Sequence, residues 1–159
     1  MDEGYEALTL MQTGKSRIMP LVFMDRQGGA YWKTWDKHIR EHLLRNGLIS
    51  PEDVNLYHIT DDAERAVRFI TRFYRNYHSM RFVRDLLVIR LLHQPTETAI
   101  QALTQDFADI ITSGQIEVIQ PTAEEREDNQ HLELPRIAFE FNKRDYGRLR
   151  QLIDTLNSF

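Results

Sequence analysis

At 159 residues with 42% hydrophobic side chains, the chain can bury the core of one domain or of two small ones packed together. Its formal net charge of −4 gives no electrostatic footprint for a polyanion, so no nucleic-acid partner is expected. The absence of cysteine excludes a disulfide framework, thiol catalysis and thiolate zinc sites; no apolar run has the length of a membrane span or the layout of a signal peptide, so a cytoplasmic protein without a membrane partner is expected.

The opening "MDEGYEALTLMQTGKS" carries Tyr5, Leu8 and Met11 at helical spacing from Asp2 to Gln12, with Gly14 as the stop. "RIMPLVFMD" follows as a short, nearly continuous apolar run, which predicts a strand buried on both faces of a parallel sheet, with Pro20 near its start. "YWKTWDKHIREHLLRNG" puts Trp32, Trp35, Ile39, Leu43 and Leu44 on one face of a second helix closed by Gly47. "SPED" reads as a capped turn and "VNLYHIT" as a strand. Asp61 or Asp62 is the expected N-cap of a helix with Ala63, Val67, Ile70 and Phe73 inward. Strands alternating with amphipathic helices imply a parallel sheet.

"RNYHSMRFVR" reads as a basic and aromatic link, after which the pattern changes. "DLLVIRLL" predicts a strand, Thr96 to Thr112 a helix with Ile100, Leu103, Phe107, Ile110 and Ile111 inward, and "QIEVIQ" another strand. "PTAEEREDNQHLEL" reads as an acidic loop. "RIAFEF" alternates with Ile137, Phe139 and Phe141 on one face, and a final helix uses Tyr146, Leu149, Leu152, Ile153 and Leu156. The expected second part is therefore βαββα, a small α+β module, and no internal repeat is visible.

Several motifs have simple structural readings. "TGKS" imitates the end of a P-loop, but Thr9 stands where the first glycine is required, and the strand and helix come in the wrong order; Gly14 is the C-cap and Lys15 complements the dipole. "HIREH" places His38 and His42 one turn apart, a spacing that can grip a metal, yet the polar face of an amphipathic helix explains it, and no metal is expected. The arginines of "RFVRDLLVIR" suit either an anionic ligand or an interface, and Glu124 to Asp128 read as a solvated segment. Asp2, Glu3 and Glu6 are expected in a first helical turn on dipole grounds alone.

The order and spacing of "MDEGYEALTLMQTGKSRIMPLVFMD" and "YWKTWDKHIREHLLRNGLISPEDVNLYHITDDAERAV" resemble the LOG (Lonely Guy) family, formerly labelled lysine-decarboxylase-like. That family carries P-G-G-x-G-T-x-x-E, a helix with Thr and Gln-x-Gly, a short strand with Pro, and a helix ending near "GLIS". Met1 and Asp2 fall on the two variable positions and Glu3 on the motif glutamate, with Thr9, Gln12 and Gly14 on the later helix positions.

The resemblance implies a fold of the α/β class, the C-terminal half of a Rossmann-like parallel sheet over residues 1–78, followed by the βαββα (α+β, ferredoxin-like) accessory module over 79–159. It also implies the C-terminal part of a longer protein, with Met1 an internal methionine. LOG proteins are nucleoside 5′-monophosphate phosphoribohydrolases that cleave the N-glycosidic bond of AMP or cytokinin nucleotides without a cofactor. By resemblance Glu3 is the catalytic carboxylate, and Met1, Asp2 and Thr9 are substrate contacts. The phosphate-holding glycine loop is not among these residues, so activity is expected only when the N-terminal half is supplied, with a nucleoside monophosphate as ligand and a homo-oligomer as the assembly. The other class of function left open is a non-catalytic nucleotide-sensing, ligand-sensing or oligomerisation module.

Overall fold

A computed structural model describes all 159 residues, Met1–Phe159. In chain order the elements are α1 (Asp2–Gln12), β1 (Leu21–Met24), α2 (Tyr31–His38) running into a π-helical turn (Ile39–Leu44), a 3-10 turn (Pro51–Leu56), β2 (Tyr57–Thr60), α3 (Ala63–Phe73), β3 (Tyr77–Val83), β4 (Leu86–Leu91), α4 (Glu97–Asp106) with a 3-10 turn (Ala108–Ile110), β5 (Glu117–Ile119), α5 (Ala123–Glu127), β6 (Arg136–Glu140) and α6 (Tyr146–Leu156). They form two compact units. The first holds Met1–Phe73 with Arg144–Gln151, the second Tyr74–Lys143 with Leu152–Phe159. No helix is long and apolar enough to cross a membrane.

In the first unit β1 and β2 run parallel, with Leu21 opposite Tyr57 and Met24 opposite Thr60. Phe23, Trp35 and Ile39 form the buried centre, against which Tyr5, Leu8, Trp32, Leu43 and Tyr57 pack. The aromatic rings interlock: Phe23 stacks on Trp32 at 4.4 Å between centroids and meets Trp35 edge-on at 5.0 Å. Gly4 lets α1 approach this ring, since a Cβ there would stand 2.9 Å from Phe23 Cε1. α1 ends in a Schellman motif, with Lys15 N–H donating to Leu10 O at 2.9 Å and Gly14 N–H to Met11 O at 3.1 Å, while Gly14 takes φ +69°.

Two expectations for this unit are corrected. The apolar run of β1 is buried only at Phe23, and Met24 beside it is 48% exposed, because Leu21 and Phe23 face the aromatic core while Met24, one residue on, points to the opposite face. On α3 the inward face consists of Ala66 and Phe73, whereas Val67 and Ile70 are exposed. Phe69 on that helix stacks on His58 at 4.6 Å, which sets the rotation.

The second unit is a four-stranded antiparallel sheet in the order β3-β4-β6-β5. Leu87, Val88, Ile89, Ile137 and Phe139 are buried on its strands, and Leu103 of α4, Phe107 at its C-cap and Leu152, Ile153 and Leu156 of α6 are buried on the helical segments. Asn157 pins the entry of the sheet, its Oδ1 accepting from the N–H groups of Asn76 and Tyr77 at 2.8 Å each. The βαββα expectation is short by two elements. The "link" contains the seven-residue strand β3, and the "acidic loop" contains the helical turn α5, closed by a capping box between Thr122 and Glu125. The helix expected to reach Thr112 stops at Asp106 and continues as a 3-10 turn.

Candidate functional site

The first turn of α1 presents Met1, Asp2 and Glu3, all exposed, with Met1 at the N-cap position and no side chain closing the turn. Thr9, also exposed, lies two turns further along. At 3.6 residues per turn Asp2 and Thr9 share a face, about 20° apart, whereas Glu3 is turned about 120° from Thr9 and lies about 9 Å from it along the axis. The helix therefore brings Asp2 and Thr9 into line and keeps Glu3 apart from both cavities that α1 helps to form.

The outer of these cavities, about 540 Å³, has Met1, Tyr5, Tyr31, Trp35 and His38 in its wall. The inner one, about 120 Å³, is walled by Tyr5, Leu8, Thr9, Gln12, Trp35 and Asp53 among others. Tyr5 and Trp35 are common to both, with ring centroids 5.5 Å apart. At the inner cavity Gln12 Nε2 donates to Asp53 Oδ2 at 2.6 Å, and Asp53 Oδ2 also accepts from Ser50 N–H at 2.8 Å. Burial pushes the Asp53 carboxyl above the ordinary carboxylate range, against those two hydrogen bonds. The Tyr57 hydroxyl donates to Asp36, whose other oxygen accepts from Arg40 Nε at 2.9 Å. Burial, followed by the bond to Asp36, pushes the phenol up, so Tyr57 is a neutral donor. Trp35 is 4% exposed, and its indole N–H is buried with no partner in the protein.

The β1–α2 and β2–α3 junctions are built on aspartates. Asp25 accepts from the N–H groups of Tyr31 at 2.8 Å and Arg26 at 2.9 Å, starting α2 in place of a capping hydroxyl. Asp62 is the N-cap of α3, accepting from Glu64 N–H at 2.8 Å and Arg65 N–H at 3.2 Å. Asp61 instead accepts from Gly28 N–H at 3.0 Å, which holds its carboxyl below the ordinary range. The rings of His38 and His42 lie 4.7 Å apart, and nowhere do three histidine or carboxylate side chains gather as a metal site.

The arginine-rich stretch and the acidic stretch find each other in the second unit. Arg81 pairs with Asp128 at 2.8 Å, Arg84 with Glu124 at 3.4 Å and Arg90 with Glu125 at 2.7 Å. Arg136 completes the group through Glu125 Oε2 at 2.8 Å. The solvated reading of Glu124–Asp128 thus fails at Glu125, which is 0% exposed. Burial pushes the Glu125 carboxyl up, but the Thr122 N–H and the Arg136 and Arg90 guanidinium groups outweigh it and hold the group below its ordinary value. The signal that could have found this partner was the Thr122-x-x-Glu125 spacing of a capping box.

A parallel strand pair joined through a helix, with helices before and after, places the first unit in the α/β class. Residues 1–70, somewhat under half of the chain, match the family model described as "Possible lysine decarboxylase", which supports the LOG-like assignment of this part. No curated protein and no solved structure matches the chain.

Proposed function

We propose that the chain carries the glutamate-bearing part of a nucleoside 5′-monophosphate phosphoribohydrolase that releases the base from AMP or a cytokinin nucleotide. The observation that carries this reading is the family match over residues 1–70 together with Glu3 standing exposed in the first turn of α1. Cleavage of the N-glycosidic bond builds positive charge on the sugar, and a free carboxylate stabilises that charge or takes a proton from the attacking water. Met1, Asp2 and Thr9 are assigned to substrate contacts on the same family pattern.

No P-G-G-x-G-T stretch occurs in the 159 residues, so we assign the phosphate-holding amides to a segment outside them. Without that anchor, AMP affinity falls by about 1.5 to 3 kcal/mol for each charge-assisted hydrogen bond. Calorimetry of the 159-residue chain with AMP is expected to show no binding in the micromolar range. When the chain is joined to a P-G-G-x-G-T-bearing segment, base release is expected, and Glu3→Gln lowers it about 10²- to 10³-fold. Turnover unaffected by Glu3→Gln would remove the assignment.

The second reading, a non-catalytic sensing or assembly module, draws on the two-stranded sheet, whose β1 edge has no strand beside it. A homo-oligomer is the partner we propose under either reading, in the cytoplasm and without nucleic acid or membrane.

A further inference from the structure

We propose that residues 129–134, which join α5 to β6 in the second unit, form an acid-operated latch: the rings of His78 and His131 hold this segment closed while they are neutral and part when both are protonated.

The geometry carries the proposal. His78 is the extra residue of the register shift between Tyr77 and Ser79, so it stands outside the pairing of β3 with β4, and a bulge of this kind re-aims a side chain. Its ring meets that of His131 edge-on, with 4.5 Å between centroids. His131 and Asn129 both take φ +50°, left-handed backbone that non-glycine residues hold where their neighbours enforce it. The ring contact is one such neighbour. The Arg136 guanidinium is another, donating from Nη2 to His131 O at 2.5 Å and to Leu134 O at 3.0 Å. Leu134 N–H closes the segment on itself by donating to His131 O at 3.2 Å. Because Arg136 also holds Glu125, the segment rests on the buried ion-pair group, and opening it takes two carbonyl acceptors away from that group.

The charges around the ring pair are unbalanced. His78 is faced by His131 and Glu133 from the segment and by Arg90 from β4. Arg90 Nη1 donates to Ser79 Oγ at 3.3 Å, and that oxygen lies 2.9 Å from His78 Nδ1. His131 Nδ1 stands 4.0 Å from Glu133 Oε1. Arg81 and Asp128, just before the segment, neutralise each other in an ion pair at 2.8 Å. Glu133 is thus the one carboxylate left for two imidazoles. It compensates a first proton, but a second sets two cations in ring contact with the Arg90 guanidinium nearby, and separation relieves the repulsion. Burial first, then His131 and Arg90, hold His78 below its ordinary value of 6.5, against the pull of Glu133. Closure therefore favours the neutral ring; its contribution is complete above 6.5 and is lost as pH falls through the lower folded value.

Hydrogen exchange on the intact 159-residue chain tests this, with each rate scaled to the intrinsic rate at its pH. Between about pH 7.5 and about 5.5, the range in which histidine titrates, protection of the Leu134 amide is expected to fall about tenfold further than that of the β6 amides, the factor that one unit of differential protonation supplies. His78→Phe keeps a ring against His131 and removes one charge. His131→Asn removes the other charge and suits the left-handed backbone. Either variant should abolish the extra fall, and one serves if the other does not fold. Glu133→Gln removes the compensating carboxylate and should deepen the fall, which a purely structural role for this exposed side chain would not do. All these side chains belong to the second unit, so the outcome is independent of the reading of Glu3. A Leu134 amide whose protection follows the β6 amides across the range, an extra fall that persists in both histidine variants, or one that shrinks in Glu133→Gln would overturn the proposal.

Discussion

The buried group Arg90–Glu125–Arg136 concentrates one negative and two positive charges at positions 4%, 0% and 1% exposed. Such an arrangement holds only while every partner is present, since removing one leaves the others desolvated and uncompensated. Glu125→Gln is therefore expected to destabilise the chain by about 3–5 kcal/mol, read as a lowered urea midpoint. The exposed pair Arg84–Glu124 should contribute under about 1 kcal/mol to the same measurement. The pH dependence follows from the sign of the shift. Because Glu125 is held below its ordinary value of 4.5, its contribution is complete above that pH and is lost as pH falls through the lower folded value. His58 acts in the same direction at higher pH. Burial first, and then the Arg150 and Arg65 cations, lower its imidazole below the ordinary 6.5, so folding favours the neutral ring, and stability declines as pH drops from 6.5 through the folded value. An NMR titration of His58 with a midpoint at or above 6.5 would contradict the packing of this ring against Phe69.

At the level of elements, sequence periodicity was a good guide wherever one face of a regular element is buried. α1, α2, α6 and β6 stand where their apolar spacing puts them, and Gly14 ends α1 as its position requires. β3 escaped because a register shift between Tyr77 and Ser79 breaks the two-residue period, so that Tyr77 and Met80, three apart, are both buried. α3 was rotated wrongly because Val67 and Ile70 are as apolar as the residues that do turn inward; periodicity alone cannot choose between two apolar stripes on one helix. The Trp35 donor was invisible for another reason. Whether an N–H finds a partner depends on the placement of distant chain, and no local spacing encodes it. The glycine that stops α1 carries two constraints that a mutation can separate. Gly14→Ala incurs left-handed backbone strain of about 1–2 kcal/mol, and its Cβ would also stand 2.0 Å from the Tyr146 hydroxyl oxygen. Gly47, at φ +68° with no atom within 4 Å of where a Cβ would stand, bears the strain alone. Thermal unfolding should rank Gly14→Ala well below Gly47→Ala, and equal losses would show that Tyr146 moves aside freely.

For the molecule as a whole, the α/β class was legible, and so was a change of pattern after residue 78, where strand–helix alternation gives way to a βαββα order; the strand β3 that opens the antiparallel sheet was not. The relation of Glu3 to any substrate was legible only through family motif order, since an acidic first turn is what the helix dipole would select in any protein. The sheet itself supplies the last prediction. β1 lies at an edge of a two-stranded sheet, and the side chains along and beside it, Met19 at 47% and Met24 at 48% exposure, are apolar and uncharged. Natural edges are protected by lysine, proline, bulges or a covering element. Pro20 precedes β1, but no charged side chain interrupts Leu21–Met24. Met24 O accepts from Trp32 Nε1 at 3.0 Å, but no strand pairs with this edge, and its remaining outward N–H and C=O groups beside exposed methionine are a template for a further strand, so light scattering should show concentration-dependent association of the chain. Met24→Lys places a charge on that edge without entering the core around Phe23, and it is expected to shift the population to monomer with the urea midpoint unchanged. A wild-type chain that stays monomeric across the concentration series, or association that survives Met24→Lys undiminished, would move the contact surface away from β1.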